Sequence, residues 1–582
     1  NYQFTDKDFR TIERLFTIEF DRDWNINSVM SANQSLLIAG TKAKIKNNGV
    51  VNYQFEKLDF SDVFNANRNV LNANLKFDKL TVQSENSVLN SDGDYAKTEF
   101  VRSETQSRYH FDKNWVGASL RLEDNSERLK ETDLLSALSQ RFIEYGGFVG
   151  RGDSTKVYVQ LGYLHRKNDS LVLNKVQRVN ESNSFYVKSR LLQTQNSDLS
   201  VFVNYRVLKY RDNQAPKEPS LNSRIVYNDR FFNQLVQLNT SFETMSGSLA
   251  QQEFTYLEVE PGQGVYMWND YNGNGIQELE EFEIAVFSDQ AKYIRVFLPN
   301  QIFVKTHQNR FSSSLTLNPT QWQNESGIKK TLSYFYNQTS FLVDRKIERN
   351  EDNFDLNPFG GNSDEVLALN TNIRNSLFYN RGKQDHSVTY TYLLNEAKSL
   401  LSVGSVSNKT GSHQLQYQHL FSEIWLVNFS TKTVLTETTS ENYDTRNFKI
   451  EIYNLHPKLS YLFTKNTSLD VFYELQNKKN TIGSLESLLQ HRVGLSFTFS
   501  GKKGFTSTGE FSLYENDFTG NPLSPVAYQM LEGLQAGQNL TWRLLLQKNL
   551  TQYLDLNLNY EGRKSETSKT IHTGSVQLRA FF

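Results

Sequence analysis

The sequence predicts an all-β protein, a transmembrane antiparallel β-barrel of roughly 24 strands, between about 22 and 26. Three observations predict it. Apolar and polar residues alternate with the two-residue period of a strand along most of the 582 residues. Tight turns alternate with longer connections. Aromatic residues make up 13% of the chain although its mean hydropathy is −0.58.

The composition suits strands with one lipid face and one polar face. The chain has 40 Phe and 29 Tyr, yet no apolar run approaches the ~18 residues of a membrane helix. Averaging an apolar face with a polar face cancels the hydropathy signal. A large array of soluble β-sandwiches would give similar averages, so composition alone leaves that alternative open.

Several classes of protein are excluded or disfavoured. The chain has no Cys, which removes disulfide frameworks and Cys-ligated zinc. Its net charge is −1 and its Lys and Arg residues are spread out, so we expect no nucleic-acid partner. No signal peptide follows Asn1, and for an exported protein we therefore expect a mature chain or missing upstream sequence.

The closing stretch, residues 571–582, is the clearest single strand signal. Val576, Leu578, Ala580 and Phe582 share one face, with polar residues between most of them. This stretch resembles the closing strand of bacterial outer-membrane β-barrels, whose terminal Phe is recognised by the insertion machinery. The resemblance implies the outer membrane of a Gram-negative cell, with lipid as a partner and both termini in the periplasm.

Upstream stretches repeat the alternation. In residues 552–560 the leucines and Tyr560 face one way while Asp and Asn face the other. The same pattern is carried by Val493, Leu495, Phe497 and Phe499, by Leu469, Val471, Tyr473 and Leu475, and by Val388, Tyr390 and Tyr392. Further strands are expected near 301–317, 250–260, 232–245, 198–211, 184–195, 155–167, 136–149, 114–123, 97–111, 69–83, 50–60 and 34–46.

The connections fall into two sets. Tight turns are predicted at 548–551, 500–504, 464–467 and 380–384, and longer stretches at 516–538, 477–489, 437–446, 395–412 and 344–366. Outer-membrane barrels have short periplasmic turns and long extracellular loops, so the tight set is assigned to the periplasm. Arg151, Gly152 and Asp153 form an adhesion-like triplet, but a Gly-Asp periplasmic turn is the interpretation that we favour.

The predicted domain organisation is simple. Residues 34–582 form the barrel, including an extracellular segment at 261–300. Residues 1–33 are expected to be a periplasmic lead-in or a remnant of an upstream domain, because a strand at 11–20 would run in the wrong direction to open the barrel.

One motif indicates chemistry. Read from Asp270, the chain matches the twelve-position calcium loop, with Asp270, Asn272 and Asn274 at positions 1, 3 and 5, Gly275 at position 6 and Glu281 at position 12. Ile276 would offer its carbonyl, Glu278 would act directly or through water, and Glu281 would close the site with both oxygens. The cofactor prediction is therefore a structural Ca²⁺ ion.

The alternative is an Asn-Gly-rich turn without metal. Two Asn in place of Asp lower the ligand charge, which suits a calcium-rich exterior. The flanks do not form the paired helices of a sensor, so a structural ion is favoured over a switch. Residues 250–300 resemble a segment of large, mostly uncharacterised outer-membrane barrels of Bacteroidota.

No catalytic pattern is evident. The nine His residues show no zinc-protease spacing, and no Gly-x-Ser-x-Gly or phosphate-binding Gly loop occurs. We therefore expect no enzyme, although outer-membrane enzymes can assemble sites from dispersed residues.

Barrels of more than about sixteen strands leak solutes unless they are filled. The first hypothesis is a non-enzymatic subunit of an outer-membrane assembly for protein export or surface-protein biogenesis, with other outer-membrane or periplasmic proteins and surface lipoproteins as partners. The second is a nutrient transporter or porin whose upstream plug lies outside this chain.

Overall fold

The structure, a computed structural model, describes most of the chain. The described residues are 20, 23–26, 34–61, 63–153, 155–212, 216–349, 354–360, 365–383, 385–401, 404–464, 466–501, 504–551 and 553–580. Phe582 and residues 11–19 lie outside them, so the predictions made for these positions stay predictions. The chain divides into two compact units, residues 1–226 and 227–582.

The first unit is built from consecutive antiparallel strands. They are β1 (Gln34–Lys44), β2 (Gly49–Phe60), β3 (Phe64–Phe77), β4 (Leu80–Gly93), β5 (Ala96–Phe111), β6 (Asn114–Leu129), β7 (Gln140–Gly152), β8 (Tyr158–Val172), β9 (Lys175–Gln193) and β10 (Ser197–Tyr210). Each of them pairs with the next in sequence. β11 (Glu218–Phe231) begins before the division between the units and ends after it.

The second unit continues in the same way. Its strands are β12 (Val236–Glu258), β13 (Tyr266–Trp268), β14 (Phe282–Ile284), β15 (Tyr293–Leu317), β16 (Phe335–Glu348), β17 (Val366–Tyr379), β18 (His386–Leu401), β19 (Gly404–Phe421), β20 (Trp425–Ser440), β21 (Phe448–Thr464), β22 (Thr467–Asn480), β23 (Ser487–Ser500), β24 (Phe505–Thr519), β25 (Gly537–Thr551), β26 (Leu554–Ser565) and β27 (Ile571–Ala580). β12 pairs with β15, and from β15 onward each strand pairs with its successor.

Helices are few and short. The α-helices are α1 (Ile328–Leu332) and α2 (Pro525–Leu531), and 3₁₀ turns cover Leu279–Glu281, Ser288–Gln290, Pro319–Trp322 and Asp444–Arg446. No helix among the described residues is both long and apolar enough to cross a membrane.

The predicted fold class is confirmed. The described residues contain 25 strands of ten residues or more, against roughly 24 expected. The closing hairpin has the predicted register, because Leu556 pairs with Leu578 and Leu558 pairs with Val576. In these pairs the apolar residues of both strands lie on the same face of the sheet.

Each unit has one apolar and one polar face. In the second unit Val471 faces Leu495 across β22 and β23, and Leu495 faces Phe511 across β23 and β24. Leu495 is 49% exposed, so this apolar row is not covered by the protein. In the first unit Leu120 faces Tyr145 and both are exposed. Uncovered apolar surfaces of this extent are typical of contact with lipid or protein.

The opposite face of the second unit carries hydrogen-bonded charges. Arg492 on β23 pairs with Glu474 on β22 at 3.1 Å and also with Glu510 on β24. Asp470 accepts a hydrogen bond from Ser496 at 3.0 Å and pairs with Lys458 at 3.6 Å. These charges have partners on neighbouring strands, which lowers the cost of removing them from bulk water.

The polar face of the first unit has an apolar patch at one end. Trp24 is 2% exposed and packs in a cluster with Leu58, Phe60, Phe64, Ala66, Leu89 and Phe100. Asp23 beside it pairs with Arg102 at 3.0 Å and with Arg68 at 3.4 Å. The described part of residues 20–26 is therefore docked on strands β2 to β5.

Several boundaries differ from the prediction. The stretches 232–245 and 250–260 form one strand, β12, because its whole length pairs with β15. The expected loop at 395–412 is mostly the ends of β18 and β19, which pair as far as Leu401 and Gly404. β4 and β11 were not predicted as separate strands. The count stayed near the observed number because such omissions offset the extra strand counted within β12.

Candidate functional site

The calcium-loop motif lies in segment 259–292, which connects the two longest strands of the chain. β12 has 23 residues and β15 has 25. Within the segment, β13 and β14 form a small antiparallel pair, with Tyr266 opposite Ile284. Residues 293–300, expected in the loop, belong to β15, because Tyr293 to Phe297 pair with the end of β12.

The first half of the predicted loop winds around Asp270. Its carboxylate accepts hydrogen bonds from the backbone N–H groups of Gly273 at 2.7 Å, Asn274 at 3.1 Å and Gly275 at 2.9 Å. Gly275 has φ of +72°, in the left-handed region that favours Gly. The bend that the motif assigns to position 6 is therefore present.

The side chains at positions 3, 5 and 9 converge. The amide nitrogen of Asn272 donates to Glu278 at 2.7 Å, and that of Asn274 donates to the same carboxylate at 3.3 Å. The side chain of Ile276 points to solvent and is 63% exposed, while its N–H donates to Asn274 at 2.6 Å.

Glu281 is buried at the base of the loop, with 2% of its surface exposed. Its carboxylate accepts hydrogen bonds from the Trp268 indole at 2.7 Å and from the Tyr271 N–H at 3.2 Å. It also accepts a longer one, 3.4 Å, from the Glu278 N–H. The structure thus brings Glu281 beside the start of the loop.

The carboxylates of the predicted loop have no cationic side chain beside them in the part of the chain that the structure describes. Asp270, Glu278 and Glu281 form no ion pair with any residue that the structure describes, so their negative charge is not neutralised by Lys or Arg there. No group of three or more His, Asp or Glu side chains gathers at one point in the described ranges. A cation here would therefore depend on the Asn and carbonyl oxygens as well, which is the mixed oxygen set that Ca²⁺ accepts.

Arg446 holds the segment from the β20–β21 connection. Its guanidinium donates to Glu283 at 3.0 Å and to the backbone oxygens of Glu280 and Phe282, each at 3.3 Å. Burial raises the pKa of Glu283, and the charge of Arg446 opposes this rise. Burial likewise raises the pKa of Tyr271. Segment 259–292 is therefore tightly packed on the side that faces the β20–β21 connection.

Helix α2 supplies a second support. Ser524 caps it by accepting a hydrogen bond from the Ala527 N–H at 3.1 Å, and Pro525 starts the first turn. Lys478 donates to the Met530 carbonyl at 2.8 Å at the other end, where helix carbonyls lack partners. The apolar side of α2 packs against Ile450 and Leu488.

Tyr528 joins α2 to segment 259–292. Its hydroxyl donates to the Ile284 carbonyl at 2.8 Å and accepts from the Val286 N–H at 3.3 Å. Gln529 donates to Glu283 at 3.2 Å. Side chains of the helix therefore bind the backbone of Ile284 and Val286 and the side chain of Glu283.

A third support comes from the polar face of β26. Arg563 binds the Asp289 carboxylate through its two terminal nitrogens, with an Nη2 to Oδ2 distance of 2.7 Å. Its guanidinium carbon lies 4.0 Å from the centre of the Phe287 ring. Ser288 donates to Glu561 at 2.6 Å. The guanidinium of Arg563 holds the pKa of Asp289 below its usual range. Segment 259–292 thus reaches across to a strand far along the sequence.

We expect Asp289→Asn to loosen this third support. Losing a charge-assisted hydrogen bond costs about 1.5–3 kcal/mol, and the lower end applies because the Asp289 side chain is 28% exposed. Hydrogen–deuterium exchange of residues 286–292 should rise at neutral pH, whereas Asp517→Asn, an exposed carboxylate on β24, should leave it unchanged. In the unchanged chain the support is present above the ordinary Asp pKa of 3.8 and is lost as pH falls through the lowered pKa. Equal exchange in all three proteins would contradict the role of this ion pair.

The sequence did not identify these supports. Arg446, Tyr528 and Arg563 are 163 or more residues from their partners and carry no local motif. The helix itself could have been found, because Ser524 followed by Pro525 is a strong helix-start signal within the expected loop 516–538.

Known proteins give no family assignment. No family model matches the chain, and no curated protein matches it. Among solved structures, it is similar to the copper transporter OprC, with 10% identity and a TM-score of 0.30, covering 94% of this chain and 79% of that one. The FrpB iron transporter from Neisseria meningitidis (F3-3 variant) matches with 9% identity and a TM-score of 0.32, covering 86% and 81%. BauA, the ferric preacinetobactin receptor from Acinetobacter baumannii, matches with 8% identity and a TM-score of 0.30, covering 89% and 77%. Similarity this low carries no argument about what this chain binds.

Proposed function

We propose that the chain is an integral β-barrel of the Gram-negative outer membrane that conducts polar solutes. The observation that carries the proposal is the division of the strands into an exposed apolar face and a polar face with paired charges. In a lipid bilayer the first face would contact acyl chains and the second would line a lumen. Contact with lipid would account for the aromatic and aliphatic side chains that are exposed on the apolar face.

The proposed orientation follows from the lengths of the connections. In the second unit, two to four residues separate β19 from β20, β21 from β22 and β23 from β24, whereas 7 residues separate β20 from β21 and 17 separate β24 from β25. Connection 318–334, which contains α1, is an exception on the short side, and the connection of two residues between β18 and β19 is an exception on the long side. Short turns of such barrels are periplasmic, so we place segment 259–292 outside the cell and the end of β27 in the periplasm. The odd number of long strands among the described residues, 25, does not fit the prediction that the amino-terminal end is periplasmic as well.

Transport is favoured over the assembly-subunit hypothesis by what lies on the polar face. That hypothesis rested on a wide lumen without a plug domain in this chain. Segment 259–292 is instead bound to Glu561 and Arg563, on the polar face of β26, and to α2. We therefore propose that it is a cover at the extracellular mouth of the lumen, so that filling by partner proteins is not required.

Calcium would brace this cover. Asp270, Asn272, Asn274, Glu278 and Glu281 would hold the ion together with the Ile276 carbonyl, and the ion would supply positive charge to a carboxylate-rich loop. Because strands flank the loop, the ion would act structurally and not as a switch. We expect no catalytic activity from the chain.

Channel recording tests the transport proposal. The purified chain in a planar lipid bilayer should give stepwise conductance, and Arg446→Met should raise it, because three hydrogen bonds to the cover are lost. Arg381→Met, on the opposite set of turns, is the matched control. A bilayer that stays silent with wild-type and with Arg446→Met would overturn transport.

The assembly-subunit hypothesis has a separate test. Copurification from native membranes with outer-membrane or periplasmic proteins or surface lipoproteins at fixed stoichiometry would favour it. Purification of the chain alone, together with conductance, would favour a transporter or porin.

A further inference from the structure

A cavity of about 540 Å³ lies beneath the cover, between segment 259–292, the ends of β18 to β20 and α2. Its size falls within the range of small-molecule binding sites, roughly 300–1,000 Å³. All of its lining belongs to the second unit. Because the cavity adjoins the proposed cover, its chemistry bears on which solute is recognised.

Aromatic rings form much of the cavity lining, and we call them the aromatic wall. Six aromatic side chains line the cavity, namely Phe254, Tyr256, Tyr266, Phe282, Tyr443 and Tyr528. Tyr256 and Phe282 stack with ring centres 4.0 Å apart, and Tyr266 meets Tyr256 edge-on at 5.0 Å. Ile284, which also lines the cavity, remains 63% exposed. Phe254 and Phe282 are themselves buried, so the surface open to the cavity comes from the half-buried tyrosines and from Ile284.

The charges of the lining are already engaged. Glu283 pairs with Arg446 at 3.0 Å, and Glu532 pairs with Lys478 at 2.6 Å. Arg295 lies over the rings of Phe254 and Tyr266, at 5.4 and 5.9 Å. With two carboxylates and two guanidinium groups, the lining has no net charge, so it favours neither an anion nor a cation.

The remaining polar groups are neutral. Besides the tyrosine hydroxyls, the lining includes Ser399, Asn408, Thr438, Ser440 and Gln529. Hydroxyl and amide groups both donate and accept hydrogen bonds. A neutral ligand with an apolar face and a rim of hydroxyl groups matches this combination of flat rings and neutral polar groups.

We propose that this cavity binds a neutral carbohydrate, with the C–H face of a sugar ring against the aromatic wall. The inference deepens the proposed transport function by naming a solute class. It concerns binding only, so it can be tested apart from conductance.

Titration calorimetry on the full chain in detergent tests the inference. The probes are neutral malto-, cello- and xylo-oligosaccharides of two to six units, with a cationic tripeptide and glucose 6-phosphate as charged comparisons. At least one oligosaccharide should bind saturably, and Tyr443→Leu should weaken it about tenfold by removing a stacking ring. Tyr443→Phe, which keeps the ring, should bind within a few-fold of wild-type, and Tyr553→Leu, at a distant turn, should be unchanged.

Other results would overturn the inference. They are binding of none of the oligosaccharides, binding of only the charged probes, or binding that Tyr443→Leu leaves unchanged while its circular dichroism matches wild-type. Conductance without carbohydrate binding would remove this inference and leave transport in place. Carbohydrate binding with a silent bilayer would remove transport and leave the site.

Discussion

Leu495→Arg is expected to prevent stable insertion into lipid. Leu495 lies within β23, faces Val471 and Phe511, and is 49% exposed on the apolar face. An Arg on the lipid face near the middle of a bilayer costs about 2–4 kcal/mol in such barrels. Equilibrium unfolding in urea from lipid vesicles should show this loss of stability.

Thr498→Arg is the matched control on the same strand. Thr498 pairs with Ser468 and Thr508 on the polar face, and it is exposed. The new guanidinium would remain in water, so we expect a change below about 0.5 kcal/mol, typical of surface substitutions. If the two variants lost stability equally, the assignment of the two faces to lipid and lumen would be wrong.

Glu281→Gln should abolish most calcium binding. The substitution removes a charge at the one position expected to give two oxygens to the ion, and we expect affinity to fall by more than about tenfold. In wild-type protein, calcium should slow hydrogen exchange across residues 266–284, and this protection should be lost in the variant. Calorimetric titration with calcium chloride measures the affinity directly.

Glu280→Gln separates ligation from general charge. Glu280 is adjacent and has the same charge, but only its backbone oxygen contacts Arg446 in the structure described. Its substitution should leave calcium affinity within a few-fold of wild-type. The calcium-site prediction would be wrong if wild-type protein bound no calcium at millimolar concentration, or if Glu281→Gln bound it as tightly as wild-type.

Periodicity was enough to predict most of the strands, because each face of a strand is set by every second residue. The rows through Leu469, Val471, Leu495 and Phe497 appear as predicted, with facing partners on adjacent strands. It was not enough to place the ends. β12 and β15 continue well beyond the other strands through mutual pairing, which the sequence of either strand alone does not encode.

The candidate site could be predicted only where its contacts are local. Asp270, Gly275 and Glu278 lie within nine positions of one another, so spacing was informative. The supports from Arg446 and Arg563 depend on which distant strands lie nearby, and no short motif carries that information. The fold decides these contacts, and the sequence of the loop does not.

The supports of segment 259–292 also lead us to expect an order of assembly. The bonds from Glu283 to Arg446 and from Asp289 to Arg563 join residues 163 and 274 positions apart. Closing such long loops is slow, and the later partners exist only once β21 and β26 have formed. We therefore expect the segment to become protected from protease only after the carboxy-terminal strands have formed. A chain truncated before β26 should keep this segment cleavable even if its earlier strands pair correctly.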